Sequence, residues 1–335
     1  MLVGLLLPLL LLPLVLSDPQ IDDGCDDYHD NIFDALLRTV EISRFGRDIL
    51  DKYLRGSNDC YMKNLVGDIF DEMIGIDVTK DRAYVSKMRD RFHNVSEAPM
   101  ISDFSMYCDE DWANKTHHGR SYSGETRKGF NVWWSYLHDS WVETPLDPWS
   151  VRNGAHAFLT SFPAPPEEVM VLVPQRALTN DVLDPRKQPK KLVYDTPPRA
   201  KVHLNELVYT FFGVIFHEVT HLKAAGSSVD IKINVDGKDE AALSYKEVTE
   251  VPKSGEGEGT NSPQMRASEN AQTITFIAQI LYYCLAGGWD FDKDKGTLTA
   301  PMRPRPYPMP LHFQNLGPPE VPAKPDYLKG YKLTN

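Results

Sequence analysis

The chain has 335 residues, four cysteines and a formal net charge of −11, with 41% hydrophobic and 10% aromatic residues. This composition supports a sizeable core and excludes wholesale disorder. The excess of 47 acidic over 36 basic side chains excludes a general nucleic-acid binder, which needs cations against phosphates.

Leu2 to Leu16 is almost uninterrupted Leu, Val and Pro, about fifteen residues, and is followed by Ser17. Such a run is shorter than the ~20 residues that span a hydrocarbon core, so residues 1–17 read as a signal peptide. An exported chain with no membrane partner in its mature form is expected. The sequons Asn94-Val95-Ser96 and Asn114-Lys115-Thr116 then mark exposed loops. In an oxidising compartment Cys25, Cys60, Cys108 and Cys284 are expected to form two bridges, with three connectivities open.

From Asp26 to about Arg91 apolar residues recur at helical spacing: Ile32, Phe33, Leu36, Leu37 and Val40, then Leu65, Ile69, Phe70 and Met73. Pro99 to Trp149 is aromatic and turn-rich, and Phe130–Trp134 reads as a strand. Glu168–Val173 is a buried strand, and Pro185–Pro198 is a connecting loop. Leu204–Leu222 is the strongest helix, ending near Gly226, with a short β-like piece and polar turns over Val229–Lys246. Ser254–Thr260 is a glycine-rich loop, Ala267–Leu285 a second strong helix, and residues 301–335 a tail with nine prolines. The expected fold is α+β: one domain over 18–300, mostly helical and especially so in 18–98, with a small sheet beside the 204–222 helix.

That helix carries His217-Glu218-Val219-Thr220-His221. Residues four apart share a helical face, so both imidazoles can reach one ion at ~2.0–2.1 Å. Glu218 follows the first histidine and can act as general base on a water there. The lead-in Phe211–Phe216 is apolar, and two histidines and a glutamate in such a wall are costly unless a metal or hydrogen bonds satisfy them. A catalytic zinc takes a third protein ligand. The metzincin extension fails, with Ala224 and Ser227 in place of its Gly and His. Two candidates remain: Asp230, brought back by the turn at Gly226–Ser228, and Glu269 at the start of the next strong helix.

The segment from His217 to Asp230, with Ser268–Ala278, resembles the aspzincin metallopeptidases, the secreted and mostly fungal deuterolysin and peptidyl-Lys metalloendopeptidase group. The resemblance covers about the third of the chain from Leu204 to Leu285. Gly226-Ser227-Ser228-Val229-Asp230 stands for the family's Gly-Thr segment before its ligand Asp, and Asn270-Ala271-Gln272 for a later helix signature whose third residue is acidic. It implies a zincin-like fold, Zn2+ held by His217, His221 and Asp230, and Glu218 as catalytic base. It also implies a secreted endopeptidase acting on protein or peptide substrates, expected as a monomer. The family's Tyr-Gly pair after the ligand Asp is replaced by Ile231–Asn234, and Tyr245 is the nearest downstream tyrosine. The alternative is a secreted, catalytically weak zinc-binding protein used for sequestration or surface interaction. A lysine-preferring pocket would draw on Asp236, Asp239, Glu240, Glu256 and Glu258, which in so acidic a chain also read as a solvated face.

Overall fold

The computed structural model describes residues 20–102, 104–108, 113–114, 116–126, 131–135, 140–144, 157–163, 166–172, 201–208, 210–235, 237–254 and 259–299. The expected signal peptide, the Pro185–Pro198 loop and the 301–335 tail lie outside them. Mixed helix and sheet make up the described chain, in keeping with the α+β expectation.

A two-residue strand β1 (Gln20–Ile21) leads into three helices, α1 (His29–Leu54), α2 (Cys60–Ile74) and α3 (Ala83–Ile101). The helical periodicity of the first hundred residues is therefore real: Ile32, Leu36, Ile69, Phe70 and Met73 are all buried. Asp59 caps α2 by accepting from the Met62 amide at 3.0 Å, and Gly75 ends it in the left-handed region at φ 73°. α1 and α3 cross closely at Gly46, where a Cβ would stand 2.8 Å from the Phe92 ring.

β2 (Phe104–Tyr107) follows, then β3 (Ala113–Asn114), β4 (Thr116–His117) and β5 (Arg120–Ser121). The expected aromatic strand is β6 (Asn131–Ser135), paired with β7 (Ser140–Thr144) so that Trp134 faces Trp141. β8 (Ala157–Pro163) and β9 (Pro166–Leu172) form a hairpin, and β9 runs parallel to β2, giving the sheet order β1-β2-β9-β8. The predicted 168–173 strand is thus the inner strand β9.

The predicted 204–222 helix is in fact two. After β10 (Lys201–His203) come α4 (Leu204–Val208) and α5 (Phe211–His221). Thr210 starts the second by accepting from the Gly213 amide at 3.0 Å. α5 packs against α1 and against α8 (Ala271–Leu281), all but its last residue buried. The β-like piece is the hairpin β11 (Lys232–Val235) and β12 (Lys238–Ala241), followed by α6 (Tyr245–Glu250). The predicted 267–285 helix also breaks, into α7 (Pro263–Glu269) and α8 (Ala271–Leu281), with a wider π turn over Tyr282–Ala286. Asn270 stands extended between them (φ −69°, ψ 123°). β13 (Asp290–Asp292) and β14 (Thr297–Thr299) close a second sheet with β10.

Two expectations change. One disulfide forms, Cys25–Cys108, tying the chain before α1 to the end of β2. Cys60 is an exposed thiol at the start of α2, whereas Cys284 is buried beyond α8, so those two do not meet. The first sequon is also not in a loop. Asn94 is exposed in the middle of α3, and Val95 and Ser96 behind it are fully buried. Among the described residues no helix is long and apolar enough to cross a membrane.

Candidate metal centre

Histidines 217 and 221 occupy successive turns at the C-terminal end of α5, and their Nε2 atoms lie 3.2 Å apart. The chain then reverses. Gly226 and Ser227 both adopt positive φ, 97° and 51°, the left-handed geometry needed to turn back sharply. The Ser227 amide donates to Leu222 O at 3.0 Å and the Ser228 amide to Thr220 O at 3.1 Å. The Thr220 and Ser228 hydroxyls share a hydrogen bond at 2.6 Å. Asp230 thereby returns to the histidines: its Oδ1 is 3.2 Å from His217 Nε2 and 3.6 Å from His221 Nε2.

The stretch around Asp230 is pinned on both sides by the α7–α8 break. The Val229 amide donates to Glu269 O, and Val229 O accepts from the Ala271 amide, both at 3.0 Å. Asn270, wholly buried, accepts from the Ile231 amide through Oδ1 at 3.1 Å. Its Nδ2 donates to Ala242 O at 3.3 Å and Thr273 Oγ1 at 3.1 Å. From the other side, Arg91 of α3 donates to the carbonyls of Ala225 (3.2 Å) and Gly226. The buried Glu168 of β9 accepts from the Lys223 amide at 2.9 Å just beyond α5, and burial raises its carboxyl pKa against the pull of that amide and of the Lys223 charge.

Each imidazole is also held from behind. The Ser228 carbonyl can only accept, so His221 must donate to it from Nδ1, at 2.8 Å. His217 Nδ1 faces Gln272 Oε1 at 3.0 Å. Both rings therefore turn Nε2 toward Asp230. Three electron-rich atoms at 3.2–3.6 Å need something positive between them, either a proton or a cation. Desolvation pushes the Asp230 carboxyl up, but hydrogen bonding to His217 and attraction to both imidazoles outweigh it, leaving its pKa at about 2. Among the described residues, His217, His221 and Asp230 are the only His, Cys, Asp or Glu group placed to hold a metal ion.

Glu218 is buried beside His217. Glu269, the other candidate third ligand, is not brought to the pair: it lies at the end of α7 and binds Lys87 Nζ at 2.9 Å. Tyr245 is also committed elsewhere, its hydroxyl donating to Lys293 O at 2.5 Å. Of the acidic residues considered for a lysine pocket, Asp239 and Glu240 are exposed on the β11–β12 hairpin, while Asp236, Glu256 and Glu258 lie outside the described residues. Arg91, Glu168 and Asn270 support the turn from outside the histidine motif, which does not mark them. Glu168 carries a usable signal, a charge at the head of the apolar Val169–Leu172 run, whereas Asn270 stands among the polar residues Ser268, Glu269 and Gln272 and carries none. No protein-family model, curated protein or solved structure matches the chain.

Proposed function

We propose that this chain is a secreted, zincin-like zinc endopeptidase of aspzincin type, with His217, His221 and Asp230 as ligands and Glu218 as catalytic base. One observation carries the reading: a carboxylate nine residues beyond His221 returns to both Nε2 atoms. A tetrahedral zinc with bonds of ~2.0–2.1 Å separates its ligand atoms by about 3.3–3.4 Å. The separations here are 3.2, 3.2 and 3.6 Å, so the donor set fits zinc in size as well as in type. Hydrogen-bonded Nδ1 atoms on both rings are the usual support of metal-binding histidines.

Bound zinc would supply an electrophile for the scissile carbonyl and lower the pKa of a water beside it. The chain's own residues do the rest. Glu218 takes a proton from the attacking water and returns it to the departing amine nitrogen. Glu218 is buried in α5, directly after His217 in sequence, and the Gly226–Ser228 turn fixes the side from which Asp230 approaches.

Metal analysis and casein hydrolysis test this together. The wild type should carry about one zinc and cleave casein. E218Q should keep the zinc and lose roughly 10²–10⁴ in rate. D230A should lose zinc and E269A keep it. Zinc in both wild type and E218Q with hydrolysis in neither would refute the peptidase reading. Zinc lost from E269A alone would refute the ligand set.

The position of Tyr245 favours a second reading. With its hydroxyl held by Lys293 O, it is not available as the oxyanion donor that the resemblance places after the ligand Asp. A missing donor of that kind typically costs ~10²–10³ in rate. A zinc-binding protein with feeble hydrolysis would show full zinc occupancy and activity lower by that factor.

A further inference from the structure

Gln272 presents a contradiction. It is fully buried, yet half of its amide is unsatisfied: Oε1 meets His217 Nδ1 at 3.0 Å, while Nε2 has no hydrogen-bond partner. A buried donor without an acceptor typically costs about 1–3 kcal/mol, so an apolar side chain of the same length would suit the core of α8 better. What the amide does provide is one acceptor, aimed at the ring nitrogen that faces away from Asp230.

Building on the metal reading above, we infer that Gln272 is a positioning residue for the metal centre. Its oxygen keeps the His217 proton on Nδ1 and the Nε2 lone pair turned toward Asp230 and His221. His221 gets the same service from a backbone carbonyl, which no substitution can remove. His217 depends on this one side chain, which makes Gln272 the adjustable part of the site. The effect is undamped by solvent, because Gln272 is wholly buried and His217 is only 8% exposed.

The test compares the full-length wild type, Q272M and Q272E, titrating zinc against a chromophoric chelator. Unfolding of the zinc-free proteins and ¹⁵N-histidine spectra of the zinc-loaded wild type are recorded in parallel. Q272M should bind zinc about 10–100-fold more weakly while unfolding no earlier than the wild type without zinc, since it also removes the orphaned donor. Q272E restores an acceptor and should bind at least as tightly as the wild type. The loaded wild type should show His217 protonated at Nδ1. Q272M binding within twofold of the wild type would overturn the inference however Q272E behaves. So would Q272M unfolding well before the wild type without zinc, or a His217 proton on Nε2 in the loaded protein. A wild type that takes up no zinc would instead refute the metal reading itself.

Discussion

Asn270 is the residue whose loss should be felt most clearly in the framework of the site. Replacing it with alanine removes an acceptor from the Ile231 amide and a donor from both Ala242 O and Thr273 Oγ1. Each buried group left unpaired costs about 1–3 kcal/mol. Ile231 is only half-buried and the Thr273 hydroxyl can turn, so about 2–4 kcal/mol is expected in total. For a domain of this size that is a fall of about 3–7 °C in Tm. The assay is urea unfolding and calorimetry of the zinc-free protein, followed by zinc titration. N270A should also weaken zinc binding, because the segment carrying Asp230 loses its tether at Ile231. N270D separates the contributions: it keeps an acceptor for Ile231 but sets a second oxygen against Ala242 O, so stability should not recover. A loss below about 0.5 kcal/mol in N270A would refute the hub role, since that is the range of surface substitutions.

Gly213 sits where α4 meets α5, and a Cβ there would stand 2.2 Å from Leu207 O. G213A should therefore cost at least about 1–3 kcal/mol by overpacking, read from the urea midpoint, and an unchanged midpoint would contradict the contact. Glu168 has its pKa raised by burial, so its contribution to stability is full below the unfolded-state pKa and is lost as pH rises through the folded-state value. The Tm of E168Q minus that of wild type should accordingly rise with pH across that window, and a fall would contradict the assignment. A thiol reagent should modify Cys60 quickly in the folded protein and Cys284 only after unfolding, because burial leaves Cys284 inaccessible and pushes its thiol pKa up. Two fast thiols would show the buried placement to be incorrect.

The parts of this molecule that were legible in its sequence are those governed by local patterning. The helices before Pro99, the strand at Val169–Leu172 and the histidine pair on α5 all follow from periodicity that needs no partner to be recognised. The breaks at Thr210 and Asn270 escaped for the opposite reason. At Thr210 the apolar run continues through the break, which a hydroxyl bonding to the Gly213 amide creates. At Asn270 a helix-compatible polar stretch is opened by distant partners, the Val229 and Ile231 backbone, which local patterning does not register. Between Asp230 and Glu269 the choice was tertiary, fixed by two positive-φ residues and by Lys87 reaching Glu269 from α3. The unpaired Cys60 and Cys284 were likewise beyond spacing arguments, since pairing depends on which side of a helix each thiol occupies.

Arg91 of α3 grips the turn that returns Asp230, and Lys87 one helical turn earlier holds Glu269. The ion-sized space is therefore bounded by pieces of chain made at very different times during synthesis. The α5 histidines emerge after α3 but before Asn270 and Gln272, which fix the returning segment and orient His217. A nascent chain would thus present its two histidines without the geometry that makes them a centre. The cluster is complete only when α8 packs onto α1 and α2 and brings Asn270 and Gln272 to the segment around the histidines.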